Sequence, residues 1–139
     1  MAALRQAERL AAAVHADDVL ATVCGNQANV LMLEHRYEQA LALAERSVSI
    51  HEGHGSGHGL AVALATLGQI CVRLCDLKRA EQALHRALDV RSPIQFHETT
   101  GAVFDTLAQI HLMRGTYETA SDFLARAGEI GRASCRERV

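Results

Sequence analysis

The chain has 139 residues, enough for one domain that buries about two-thirds of its unfolded surface. Its 14 Lys and Arg stand against 16 Asp and Glu, and a net charge of −2 gives no electrostatic footprint for nucleic acid or an anionic membrane as a partner. No apolar run approaches the roughly 20 residues needed to cross a bilayer, and the start Met1-Ala2-Ala3-Leu4-Arg5 lacks the layout of a signal peptide. Alanine supplies 24 residues and proline one, a composition that favours helix. With no Trp and 4% aromatics, the core must be closed by Ala, Leu, Val and Ile at short helix-to-helix distances. Cys24, Cys71, Cys75 and Cys135 have no disulfide-framework or CxxC spacing, which fits a reducing cytoplasm. Thirteen Arg and the single Lys78 read as the coding bias of a GC-rich bacterial genome.

In chain order the hydrophobic spacing predicts helices near residues 2–14, 18–34, 37–51, 58–74, 77–91, 98–114 and 117–130, with no strand. The order is set by a repeat of 40 residues. Ala40, Ala80 and Ala120 sit in the similar phrases Arg36-Tyr37-Glu38-Gln39-Ala40, Asp76-Leu77-Lys78-Arg79-Ala80 and Thr116-Tyr117-Glu118-Thr119-Ala120. Four residues on lie Ala44, Leu84 and Leu124; ten on lie Ile50, Val90 and Ile130. Upstream, Cys24, Leu64 and Phe104 are followed by Gln27, Leu67 and Leu107, then Ala28, Gly68 and Ala108, then Leu31, Cys71 and His111. Spacings of three, four and seven mark two helices per frame, joined by a tight turn near His35, Cys75 or Gly115.

Leu64-x2-Leu67-Gly68-x2-Cys71, Ala80-x3-Leu84 and Pro93 together resemble the tetratricopeptide repeat signature. That resemblance implies an all-α, right-handed superhelical solenoid of antiparallel hairpins: a half repeat at 1–15, carrying Leu4, Ala7 and Leu10, and repeats at 17–52, 58–92 and 98–131. A period of 40 exceeds the usual 34, and the surplus falls at Gly53 to Gly59 and Ser92 to Thr99, where longer inter-hairpin loops or extended first helices absorb it. After Gly131 the phase stops. Residues 132–139 fit no first-helix template of the repeat and resemble translated adaptor or vector scars, so they are read as a non-native or disordered tail. An array that begins halfway through a repeat is read as a fragment.

The histidines His51, His54 and His58 have a spacing that could hold Zn or Ni, or else belong to a polar glycine-rich linker. Their spacing is not that of H-E-x-x-H. Cys71 and Cys75 fall in repeat slots shared with Leu31 and His111 and with His35 and Gly115, which favours core and turn packing over soft-metal binding. No phosphate loop, nucleophile elbow or recurring carboxylate pair appears, so neither an enzyme nor a cofactor is expected.

The functional candidate is a ladder of carboxamides, Asn29, Gln69 and Gln109. The tetratricopeptide resemblance implies that these slots face a concave groove, where a protein or peptide ligand would bond to them, with Arg73 as a cation and Met32, Val72 and Leu112 as apolar contacts. The neighbouring slots Gly25, Ala65 and Asp105 depart from the carboxylate clamp that needs Lys or Arg. The longer repeat resembles arrays in large bacterial signalling and transcriptional regulators. Three readings follow: a protein-interaction or sensory segment of such a regulator, a self-associating scaffold joined through its uncapped ends, and a metal-dependent enzyme built on the His51, His54 and His58 segment.

Overall fold

The computed structural model describes residues 1–13, 17–54, 57–90 and 97–137. They form seven helices and, among the described residues, no strand: α1 (Ala2–Ala13), α2 (Asp17–Leu33), α3 (Tyr37–His54), α4 (Gly57–Arg73), α5 (Leu77–Asp89), α6 (His97–Arg114) and α7 (Tyr117–Glu137). The hairpins α2–α3, α4–α5 and α6–α7 stack on one another, with α1 laid against α2. This is a helical repeat solenoid.

One local device ends the first helix of every hairpin. His35 and Cys75 have φ of 60° and Gly115 has φ of 76°, the left-handed conformation that stops a helix without unwinding it. The N–H of the next residue then reaches back five positions: Arg36 to the Leu31 carbonyl at 2.8 Å, Asp76 to Cys71 at 2.9 Å, and Thr116 to His111 at 2.9 Å. Each of these residues opens the following helix by accepting from the buried alanine four places on, Ala40, Ala80 or Ala120. Asp76 adds a cap, its Oδ1 accepting from the Arg79 N–H at 3.3 Å.

The small-residue slot sets the spacing inside the hairpin. A Cβ on Gly68 would lie 2.6 Å from Leu84 Cγ, so glycine is what lets the fully buried Leu84 press α5 against α4. Leu64, Ile70, Leu107 and Ile110 fill the core on either side. Between the first helices, α2 touches α4 and α4 touches α6, whereas α1, α3, α5 and α7 do not approach one another through their backbones. Elements spaced more closely on one face bend the stack toward it. The concave side is therefore formed by α2, α4 and α6.

Two expectations are corrected. The glycine-rich segment from Gly53 is mostly helix: α3 continues to His54 and α4 begins at Gly57, because Gly59 leaves room for the His51 ring, whose atoms would lie 2.3–2.9 Å from any Cβ there. The helical phase does not stop at Gly131, since α7 runs to Glu137; Arg132, Ala133 and Arg136 are good helix formers and carry the helix on. Gln27, aligned with Leu67 and Leu107, is buried like them, yet its Nε2 has no hydrogen-bond partner among the described residues. Gly55, Pro93 and most of the Ser92 to Thr99 surplus lie outside the described residues, as do residues 138 and 139.

Candidate functional site

On each concave helix the residues left in contact with solvent recur about every four positions. On α2 they include Thr22, Asn26 and Asn29; on α4 His58, Val62, Gln69 and Arg73; on α6 Asp105, Gln109, Leu112 and Met113. Asn29 and Gln69 are half-buried and Gln109 is exposed, so the three carboxamides stand in one slot on three successive helices of the concave side. Arg73 is exposed near the end of α4.

The apolar positions behave differently from one another. Val72 belongs to the core at 9% exposure and Met32 packs partly against it, while Leu112 is 47% exposed. Val72 therefore offers little surface to a ligand. Leu33, Val62 and Met113 present more and were missed in the sequence, because exposure depends on which neighbour covers a slot and periodicity does not name that neighbour.

An indentation of this face lies between α2 and α4, a pocket of about 180 Å³ lined by Thr22, Asn26, Asn29, His58, Val62 and Thr66, with Gly25, Gly59, Ala63 and His51 completing it. His51 is buried at 5% exposure and His58 is exposed, so the two come together here, on helices rather than in a loop. The His54 side chain lies outside the described residues. Among the described residues no group of three His, Cys, Asp or Glu is arranged to hold a metal ion. Cys71 is buried in the core, and burial pushes both its thiol and that of Cys24 above the ordinary range, which disfavours the thiolate. Cys75 is exposed in its turn.

The opposite face carries ion pairs that the sequence reading did not identify. Arg46 of α3 binds Glu8 of α1, while Arg79 and Arg86 of α5 bind Glu45 and Glu52 of α3. These pairs join second helices whose backbones do not touch, and two of them flank a cleft of about 360 Å³ floored by Val48, Leu64, Leu67 and Ala83. Arg46, Arg86 and Arg126 recur at the period of 40, a signal present in the sequence; Arg126 lies instead over the rings of Phe104 and Phe123, at 5.9 and 5.8 Å from their centroids. Glu81 of α5 holds Arg114 of α6 at 2.6 Å, and this hydrogen bond keeps the Glu81 carboxyl below the usual carboxylate range, with His111 and His85 adding weaker attraction.

No helix among the described residues is long and apolar enough to cross a membrane. No curated protein matches the chain. The crystal structure of BtubC (BKLC) from P. vanneervenii shares its fold, with a TM-score of 0.79 at 19% identity over 94% of this chain and 55% of that one. The chain thus spans little more than half the length of that protein. The tetratricopeptide repeat profile matches residues 18–92, which contain the first two hairpins and both of their left-handed turns. With that match over more than half its length, and with the same turn, buried alanine and hairpin crossing carried on into α6 and α7, the chain belongs to the tetratricopeptide repeat family.

Proposed function

We propose that this array binds an extended protein or peptide segment along the concave face of α2, α4 and α6. Within it Asn29, Gln69 and Gln109 bond the ligand backbone, Arg73 supplies a cation, and Leu112 with Val62 and Met113 gives apolar contact. The observation that carries this reading is the recurrence of a carboxamide, half-buried or exposed, in one slot of three consecutive concave helices. A carboxamide both donates and accepts, so each rung matches a peptide group of any sequence, and three rungs in line suit a ligand that runs across the repeats. The array proper comprises residues 1–131 and acts in the cytoplasm as a segment of a larger bacterial signalling or transcriptional regulator. The 40-residue period and the four free cysteines support that setting.

The experiment is a peptide-display selection against the full chain, followed by titration of the selected peptide. Replacing Gln69 and Gln109 together with Ala is expected to weaken binding by about 1 to 3 kcal/mol, the worth of two neutral hydrogen bonds, without lowering the melting temperature. Unchanged affinity would move the site to the outer face. A scaffold that self-associates is the second reading, favoured by the exposed Leu112, Met113, Tyr117 and Leu124 of the last hairpin. Sedimentation giving a monomer at high concentration would rule it out.

A further inference from the structure

The outer cleft between α3 and α5 has a counterpart in the last hairpin. Leu64, Ala83 and Arg86, which line the cleft, occupy the repeat slots of Phe104, Phe123 and Arg126. In the last hairpin those three residues pack together: the two rings stack with centroids 6.0 Å apart, and the Arg126 guanidinium lies over both. In the middle hairpin a leucine and an alanine stand in place of the two rings, and the same slots border an open space of about 360 Å³. In the first hairpin they hold Cys24, Leu43 and Arg46, with Leu43 packed on Cys24. Alanine in the second-helix slot is thus particular to the middle repeat, and the last repeat fills that slot with a ring under an arginine.

The rest of the lining selects the same kind of group. Val48 and Leu67 complete the apolar floor, the Arg79–Glu45 and Arg86–Glu52 pairs bound the cleft two helical turns apart, and Ser49 and Gln82 stand on the banks between them. The four charges cancel, so a carboxylate or an ammonium entering the cleft would have to break a pair or leave its own charge uncompensated. An aliphatic side chain covers the floor and makes no use of the guanidiniums. An aromatic ring covers the floor and also offers its negative face to a guanidinium, whose in-plane N–H groups stay on the glutamate. Ser49 and Gln82 are exposed, and they suit the hydroxyl of a tyrosine as well as they suit water. We propose that the α3–α5 cleft is a second docking site, on the outer face, that takes a phenylalanine or tyrosine side chain of a partner protein against Arg86, in the place that Phe123 fills in the last hairpin. Its banks are α3 and α5, so it is independent of the concave groove.

The test uses N-acetyl-phenylalanine amide and N-acetyl-leucine amide, titrated into the isotopically labelled full chain and followed by methyl and amide resonances. The phenylalanine probe is expected to move the Ala83 and Val48 methyl signals upfield by its ring current and to bind at least about threefold more tightly than the leucine probe, the margin of one exposed cation–π contact. In Ala83→Phe, which puts a ring in the slot that Phe123 holds one repeat on, the probe should no longer bind. Arg86→Gln alters an exposed residue and carries the test should the first variant not fold: the phenylalanine probe still binds but loses its advantage over leucine, whereas Arg126→Gln leaves that advantage intact. Equal binding of the two probes, binding by neither, or an advantage that survives Arg86→Gln overturns the proposal. So does a chain whose Ala83 and Val48 signals move with its own concentration and stop moving in Tyr117→Ala, because the cleft would then belong to a second copy, whose Tyr117 is 69% exposed. Shifts confined to α2 and α6 would put the probe in the concave groove and overturn the outer site alone.

Discussion

The middle hairpin and the last one are built on the same slots and end up with different surfaces. In α4–α5, Val72 is 9% exposed and Leu84 is fully buried; in α6–α7 the aligned Leu112 and Leu124 are 47% and 48% exposed. The middle hairpin is packed between α2–α3 and α6–α7, whereas the last has one packed neighbour among the described residues, and at its crossing Ala108 puts a Cβ where Gly68 has none. The lesson is that a repeat assigns each residue a position, and the neighbouring repeat decides what that position is worth.

The largest expected effect tests that difference directly. Leu84→Ala removes a buried side chain at the Gly68 crossing and should destabilise by about 2 to 5 kcal/mol, while Leu124→Ala should cost below about 1 kcal/mol. Denaturant melts of the two variants giving similar losses would break the comparison. Next in size, Gln27→Leu restores the residue type of the aligned Leu67 and Leu107 and removes a buried, unbonded amide, so it should stabilise by about 1 to 3 kcal/mol. A destabilised variant would mean that Gln27 has a partner that the described residues do not include.

Cys75→Gly relieves a side chain held at φ of 60° and makes the middle turn like that at Gly115. A gain of about 1 kcal/mol is expected in the same melts, and a loss would show that the Cys75 side chain supports the turn. The smallest effect is a pH dependence. The Arg114 hydrogen bond depresses the Glu81 pKa in the fold, so its contribution is present above the ordinary carboxylate value of 4.5 and is lost as pH falls through the lower folded value. As an exposed pair it is worth less than about 1 kcal/mol. Stability of Glu81→Gln and the parent chain should converge as pH is lowered through that window; a constant difference would assign Glu81 no ionic role.

The fold was legible because its code is local and repeated. The left-handed turns at His35, Cys75 and Gly115 and the buried Ala40, Ala80 and Ala120 stand at a strict interval of 40, and adjacent helices must pack once these are fixed. The segment from Gly53 was not legible, because its glycine content reads as a linker until Gly59 is seen to receive the His51 ring. For the candidate site the sequence shows the ladder of Asn29, Gln69 and Gln109 but not the pocket beside it. That pocket depends on how α2 lies against α4, which the periodicity does not give. The ion pairs of Arg46 and Arg86 were half legible: the arginines recur in register, but their partners Glu8 and Glu52 are 38 and 34 residues away, so no constant offset reveals them.

The most direct test of the central claim is to map the display-selected peptide onto the full chain by amide chemical shifts. Binding in the concave groove predicts that perturbations fall along the solvent side of α2, α4 and α6, from Asn26 and Asn29 through Gln69 and Arg73 to Gln109. Perturbations concentrated on α3 and α5, around the Arg79–Glu45 and Arg86–Glu52 pairs, would contradict it.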